Sequence, residues 1–218
     1  MKILSEFHTA GVKVVLYHNS MALADLFSLL PNEKLRIKYK EELSHFASIK
    51  RQTEYLATRI GMHEIFGANA SISYSGLGSP ILNIGGNQNL KFSVSHSNGF
   101  IAIAYSEKPV GIDIEKISTR TLNVSKVFLH DSEIELLNNY PNPFKTTMST
   151  LMWCCKESAY KLCGGTCQNI GNVRINSISD DHDHAICSIK DLPSKAKAKF
   201  FILKEENLVM SVAVFLEN

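Results

Sequence analysis

Apolar positions recur along this chain with two different periods, and each period marks a kind of element. Val110, Ile112 and Ile114 alternate with Gly111, Asp113 and Glu115. That predicts a strand over 110–117 with both carboxylates projecting from the face opposite the apolar one. The stretch 145–163 has good helix formers, no Gly or Pro, and then Gly164-Gly165 as an abrupt stop. At 3.6 residues per turn, Trp153, Glu157 and Lys161 stack along one face of that helix, and Lys156 lies about a quarter-turn away.

The same reading assigns the rest of the chain. An apolar run at 12–17 predicts a first strand, and Met21 to Leu30 a short helix ended by Pro31. The pattern from Glu41 to Phe66 is helical with a bend around Ala47-Ser48, a buried stripe of Ile49, Tyr55, Leu56, Ile60 and Ile65, and Gly67 as its end. The preceding basic stretch, Lys34 to Lys40, reads as a solvated face. A short strand at 72–74 and a turn at 76–80 follow. Strands at 90–97 and 100–106 meet at Asn98-Gly99, a hairpin signal. A helix capped by Asp131 or Ser132 runs through Asn138. Strands at 173–178, 184–189, 197–204 and 208–216 form an antiparallel set, its last hairpin turned by Glu205-Glu206-Asn207. Strand, long helix and strands thus occur twice, an α+β chain in two similar halves, 1–107 and 108–218. No residue-level repeat accompanies that order.

Composition narrows the function class without choosing one. Across 218 residues, 44% hydrophobic content and a formal charge of +2 describe a soluble protein with no case for a nucleic-acid partner. No apolar run approaches the roughly 20 residues that span a bilayer, and Met1 to Glu6 does not open a secretory signal, so the expected location is cytoplasmic. The five cysteines read as reduced thiols: Cys154 and Cys155 are adjacent on the helix, and Cys163 and Cys167 lack the second pair that zinc would need. Asp180 to His184, rich in metal-binding residue types, reads as a polar hairpin loop.

Chemistry enters with the carboxylates. Asp113, Glu115 and Glu157 converge if the 110–117 strand packs beside the 145–163 helix, and an all-oxygen set of that kind suits a hard divalent cation such as Mg²⁺, which takes phosphate oxygens as further ligands. Lys161, one turn past Glu157, supplies a cation for those phosphates. Singly, each feature has a plainer reading: Glu157 and Lys161 as a surface i,i+4 pair, Asp113 and Glu115 as the exposed face of a strand.

Taken together, Gly111-Ile112-Asp113-Ile114-Glu115 followed by Trp153-x-x-Lys156-Glu157-Ser158-x-x-Lys161, with Ser95-His96-Ser97 just upstream, closely resembles the signature of the 4'-phosphopantetheinyl transferases. The resemblance runs from about Val12 to Leu216 and implies the larger, surfactin-synthetase-activating class: two α+β halves related by a pseudo-twofold, the active site at their junction, and a monomer. It implies transfer of the phosphopantetheine arm of coenzyme A to a serine of an apo acyl or peptidyl carrier protein, releasing 3',5'-adenosine bisphosphate. Asp113, Glu115 and Glu157 would hold Mg²⁺ or Mn²⁺, and Lys156 and Lys161 would add positive charge. Glu157 would take the serine proton, with Glu115 or a water as alternatives. Ser95 and His96 would contact the phosphate on the coenzyme A ribose, Arg51 would reach the coenzyme, and Arg59 would form a structural ion pair. Trp153 is a core anchor or a stacking residue, and Glu133 a first-turn helix residue. Ser79 departs from the family, many members of which carry a lysine there; Lys91 or the 34–40 run would replace it. The rival readings are a non-catalytic carrier-protein or coenzyme A binding module on the same fold, and a different Mg²⁺-dependent phosphoryl enzyme.

Overall fold

A computed structural model describes residues 1–85 and 90–216, so the last two positions of the 108–218 half lie outside the described residues. The elements run β1 (Lys2–Thr9), β2 (Val12–His18), α1 (Leu23–Leu26), α2 (Glu33–Leu43), α3 (Ile49–Phe66), β3 (Ser71–Tyr74), β4 (Pro80–Asn83), β5 (Lys91–Ser97), β6 (Phe100–Ser106), β7 (Gly111–Lys116), α4 (Thr119–Asn123), α5 (Ser125–Phe128), α6 (Asp131–Asn138), α7 (Phe144–Leu162), β8 (Val173–Ile178), β9 (His184–Ile189), β10 (Ala196–Leu203) and β11 (Leu208–Phe215). The mixture of helices and antiparallel strands is the α+β class that the element order predicts.

Two antiparallel sheets dominate. One has the order β1-β2-β6-β5 and the other β7-β11-β10-β9-β8, with β3-β4 as a separate ribbon. Strand alternation explains how they stack. On β2 and β6, Val15, Tyr17, Ile101 and Ile103 pack toward α3, while Val14, Leu16, Ala102 and Ala104 pack against Ile112, Ile114, Met210 and Val212 of the second sheet. The odd face of β11, Val209 and Ala213, joins the core under α7. The layers therefore run helix, sheet, sheet, helix, and period-two alternation sorts each strand between two cores.

Two glycines set how close the long helices lie. A Cβ on Gly111 would fall 1.9 Å from the Ser158 carbonyl oxygen and 2.6 Å from the Leu162 amide nitrogen, so β7 and α7 touch backbone to backbone. Gly61 on α3 has a milder version, with Tyr17 and Ile103 side chains 3.1 Å from the same virtual atom. At the end of α7, Gly164 and Gly165 take φ +59 and +90, the left-handed turn that stops the helix.

Sequence and structure part in several places. β1 was not expected; it pairs with β2 around a turn at Ala10 and Gly11, both at positive φ. The basic 34–40 stretch is helical, because Asn32 caps α2 by accepting from the Leu35 amide at 3.0 Å, and the bend at 47–48 is a full break before α3. The short helices α4 and α5 also escaped the pattern. The 180–184 segment joins β8 to β9, as expected of a hairpin.

Candidate active site

The site lies where the edge strands of the two sheets meet. β5 and β7 are joined by serine side chains. Ser93 Oγ accepts from the Ile112 amide at 3.1 Å, and Ser97 Oγ accepts from the Lys116 amide at 3.3 Å. Ser95 Oγ donates to Asp113 Oδ1 at 2.7 Å, and Ser97 Oγ donates to Glu115 Oε2 at 2.8 Å. Serines at 93, 95 and 97 share one face of β5 because strand side chains alternate, so three hydroxyls in a row reach the neighbouring strand and two of them orient its carboxylates. The expectation for Ser95 is corrected here: it is buried, and its hydroxyl is committed to Asp113.

Across from them stands α7. Lys161 Nζ donates to Asp113 Oδ1 at 2.7 Å and to the Ile112 carbonyl at 3.1 Å. Asp113 is buried, and its second oxygen, Oδ2, has no hydrogen-bond partner. A buried carboxylate oxygen left bare costs roughly 1–3 kcal/mol or more. Glu115 is raised above its usual carboxylate value, first by burial and then by the charge of Asp113, with Ser97, Lys161 and Arg120 pulling the other way. Glu157 is raised by the same two causes, burial and Asp113, against Lys161. Three acids thus share one electrostatic neighbourhood with one lysine, and the surplus is negative.

That donor set fits a hard cation: carboxylate oxygens only, one of them bare and buried, and two carboxyl groups raised by burial and by the charge of Asp113. Among the described residues, no three His, Cys, Asp or Glu side chains are drawn together into a finished metal cage. Lys161 on Asp113 and Ser97 on Glu115 account for part of this, since each ties up an oxygen.

On the far side of β5, His96 Nε2 and an Arg51 guanidinium nitrogen are 3.1 Å apart, and His96 Nδ1 is 3.5 Å from Glu54. Burial lowers the His96 pKa, Glu54 opposes that, and Arg51 and Lys161 reinforce it. Arg51, Glu54, His96, Glu115, Arg120 and Trp153 border one polar cleft of ≈ 590 Å³. Beyond Lys161, the cleft between the sheets continues as a mostly apolar groove of ≈ 770 Å³ between the Leu77–Pro80 turn and the end of α7. Trp153 meets Phe128 edge-on at 4.9 Å and also borders the polar cleft, so it is anchored in the core and presents a rim to the site.

Two expectations are overturned by long-range partners. Lys156 does not reach the cleft. It is fully buried, and its Nζ lies 2.8 Å from Glu133 Oε2. Glu133 also accepts from the His130 amide at 2.7 Å and the Ile175 amide at 2.6 Å. It is the first-turn residue of α6 that its position suggested, it closes a capping box with His130, which stands at the N-cap in place of Asp131 or Ser132, and it is the counter-ion of Lys156 as well. Arg59 forms no ion pair among the described residues; its guanidinium donates to Tyr74 Oη at 3.2 Å and lies over the Tyr55 ring at 4.1 Å. Of the cations considered in place of a lysine at Ser79, Lys91 borders the apolar groove together with Ser79, while Arg36 and Lys38 pair with Glu33 and Glu42 of their own helix. Glu54 and Arg120 were not foreseen. The i,i+3 spacing of Arg51 and Glu54 was a usable signal for the first; nothing local marked the second.

Residues 109–213 match the family model described as the 4'-phosphopantetheinyl transferase superfamily. That stretch covers β7 through most of β11, and so carries Asp113, Glu115, Glu157 and Lys161. Similar proteins include "4'-phosphopantetheinyl transferase gsp" of Aneurinibacillus migulanus, 33% identical over 75 residues, which is 34% of this chain and 32% of that one. They also include a "4'-phosphopantetheinyl transferase" of Bacillus subtilis, 35% identical over 75 residues and 34% of each chain. A third is "4'-phosphopantetheinyl transferase Sfp" of Bacillus subtilis (strain 168), 33% identical over 70 residues, 32% of this chain and 31% of that one. The aligned stretch spans about a third of the length of these relatives. The stretch that carries the carboxylates and Lys161 is thus the part of the chain that is similar to the 4'-phosphopantetheinyl transferase superfamily.

Proposed function

We propose that this protein transfers the 4'-phosphopantetheine arm of coenzyme A to a serine of an apo acyl or peptidyl carrier protein, releasing 3',5'-adenosine bisphosphate. The observation that carries the reading is the bare, buried Oδ2 of Asp113, set beside Glu115 and Glu157 in a superfamily whose named relatives are 4'-phosphopantetheinyl transferases. Asp113, Glu115 and Glu157 are the residues that would hold Mg²⁺, or Mn²⁺ in its place. Bound there, such an ion supplies charge neutralisation at the pyrophosphate. Lys161 adds a point cation to the same oxygens. Glu157, kept above its usual value by burial and by Asp113, is the base for the serine proton; Glu115, also raised, or a water is the alternative. Arg51 and His96 take the nucleotide end of the coenzyme from the α3 side of the polar cleft.

The carrier lands on the rim of that cleft. Ile49 is 70% exposed on one side, and Val124 and Val127 are 41% and 86% exposed on the other. Of these Val124 borders the cleft itself, together with Lys50, Lys116 and Arg120. Exposed aliphatic side chains among cations suit an amphipathic helix that carries acidic residues. The active unit is a cytoplasmic monomer made of the halves 1–107 and 108–218, related by a pseudo-twofold. Supporting that arrangement, each of the two larger sheets packs a long helix, α3 or α7, on its outer face, and no helix of the described residues is long and apolar enough to cross a membrane.

Intact-mass spectrometry of apo carrier proteins incubated with this protein, coenzyme A and Mg²⁺ tests the reading. A shift by one phosphopantetheine, abolished by EDTA and lowered at least about a hundredfold in rate by Glu157→Ala, is expected. Binding of coenzyme A with no shift on any carrier would leave a binding module in its place.

A further inference from the structure

Cys163 and Cys167, too few for a zinc site, have no part in the chemistry of the carboxylates. They stand on either side of the turn that stops α7, with Cys163 as the C-cap. Gly164 and Gly165 reverse the chain there at φ +59 and +90. The Thr166 amide and hydroxyl both donate to the Cys163 carbonyl, at 3.1 and 2.8 Å. Those bonds pin residue 166 beside residue 163, so the next side chain, Cys167, returns toward the first. Both thiols sink into the same hydrophobic cluster, 7% and 4% exposed. Each acts on the other: Cys163 is raised to about 12 by burial and then by Cys167, while Cys167 is raised by burial with the Asn169 backbone and Cys163 opposing.

A second thiol pair shows what sets this one apart. Cys155 and Cys187 have sulfurs 3.3 Å apart, yet both are 0% exposed between α7 and β9, and a sealed thiol is inert. Cys163 borders the apolar groove, beside Lys161, Leu162 and Gly165, so a small solute in the groove meets it. Its Sγ also donates to the Ala159 carbonyl at 3.1 Å, closing the last turn of the helix that carries Lys161. The turn touches the opposite wall as well. A Cβ on Gly165 would fall 2.6 Å from Leu77 Cβ and 3.1 Å from Ser79 Oγ.

We infer that Cys163 and Cys167 form a redox switch on this groove: a peroxide joins them as a disulfide, and the oxidised protein modifies carriers more slowly. This names a regulation of the proposed transferase and rests on that reading. In the first step the Cys167 thiolate attacks one peroxide oxygen, leaving a sulfenic acid and expelling hydroxide, which takes up the thiol proton as water. In the second the Cys163 sulfur displaces the sulfenic oxygen, which leaves with the Cys163 proton as a second water. Two thiols thus give up two electrons and two protons, and one hydrogen peroxide becomes two waters. The disulfide has no S–H, so the Ala159 carbonyl loses its donor and the end of α7 shifts with Lys161 on it. Exchange with an external dithiol reverses the change.

Hydrogen peroxide treatment of the full chain, followed by alkylation, peptide mass mapping and carrier modification by the same sample, tests it. A loss of about 2 Da is expected, with one linkage between Cys163 and Cys167. The rate is expected to fall about fivefold or more, and dithiothreitol should restore both mass and rate. Cys167→Ser should keep the reduced rate and lose the response. The inference is overturned if all five thiols stay open to alkylation under denaturing conditions, if the linkage joins Cys155 to Cys187, or if the 163–167 disulfide forms with no change in rate. An equal loss of rate in peroxide-treated Cys167→Ser overturns it too. Should that variant fail to fold, the wild-type linkage and its reversal by dithiothreitol decide alone. No modification by the reduced protein would remove the transferase reading and the switch with it, an outcome separate from a rate that ignores the disulfide.

Discussion

Helix α7 carries two lysine–carboxylate pairs that are nearly equal in length and opposite in surroundings. Lys156 lies 2.8 Å from Glu133 with both side chains sealed from solvent, 0% and 1% exposed. Lys161 lies 2.7 Å from Asp113 with its own side chain 27% exposed. Every oxygen of Glu133 is used, by Lys156, the His130 amide and the Ile175 amide. Asp113 keeps one oxygen bare. Two lysines five positions apart on one helix therefore do different things: the saturated pair locks α7 to α6 and β8, and the unsaturated pair faces the cleft. Ion-pair distance does not separate structure from function here. Unused hydrogen-bonding capacity does.

The contrast can be broken at its saturated end first. Glu133→Ala leaves Lys156 charged and sealed, and should cost roughly 3–5 kcal/mol of stability in urea unfolding; a cost under about 1 kcal/mol would mean that water reaches the lysine. Gly111→Ala sets a methyl against the Ser158 carbonyl. It should cost about 1–3 kcal/mol through overpacking and slow carrier modification by about a hundredfold, because Asp113 moves with its strand. Lys161→Met sharpens the other end. Partial exposure and the remaining Ser95 bond limit its stability cost to about 1 kcal/mol, while the transfer rate should fall about a hundredfold or more. Equal losses of stability in Lys161→Met and Glu133→Ala would erase the distinction.

The smallest effect is a pH dependence of stability. Burial first, and Asp113 second, raise Glu115 and Glu157 in the folded state. Their protonated forms therefore favour the fold. That contribution is present below the ordinary carboxylate value of 4.5 and is lost as pH rises through the raised folded values. A divalent cation offsets the loss. Mg²⁺ should raise the melting temperature at pH 8 by an amount worth on the order of 1 kcal/mol when it exceeds its Kd several-fold. The increment should shrink as pH falls toward the carboxylate range. An undiminished increment in the Glu115→Gln, Glu157→Gln double variant would place the cation elsewhere.

The sequence made legible what depends on local periodicity. The strand 110–117, the helix 145–163 and the terminal hairpins follow from patterns within single elements, and the carboxylates could be placed because the strand turns Asp113 and Glu115 to one side. What it concealed depends on partners far away. Lys156 finds Glu133 23 positions earlier, and Arg59 finds Tyr74 15 positions later, so neither role follows from helix spacing. About 140° of rotation around α7 separates a lysine in the cleft from one in the core, and only the packing of α6 decides which is which. β1 was hidden for a related reason: none of its residues is fully buried, and it owes its strand form to pairing with β2. The serines of β5 were legible and undervalued. Three hydroxyls at period two could have been read as a row aimed at a neighbour.

That row has a consequence for how the two sheets communicate. Amides bonded to backbone carbonyls exchange their hydrogens only when a sheet opens, but the Ile112 and Lys116 amides are held by hydroxyl oxygens of Ser93 and Ser97. Their deuterium uptake should therefore report the parting of β5 from β7, independently of unfolding within either sheet. Slower uptake at these two amides with coenzyme A bound would show the ligand clamping the seam on which Asp113 and Glu115 are mounted.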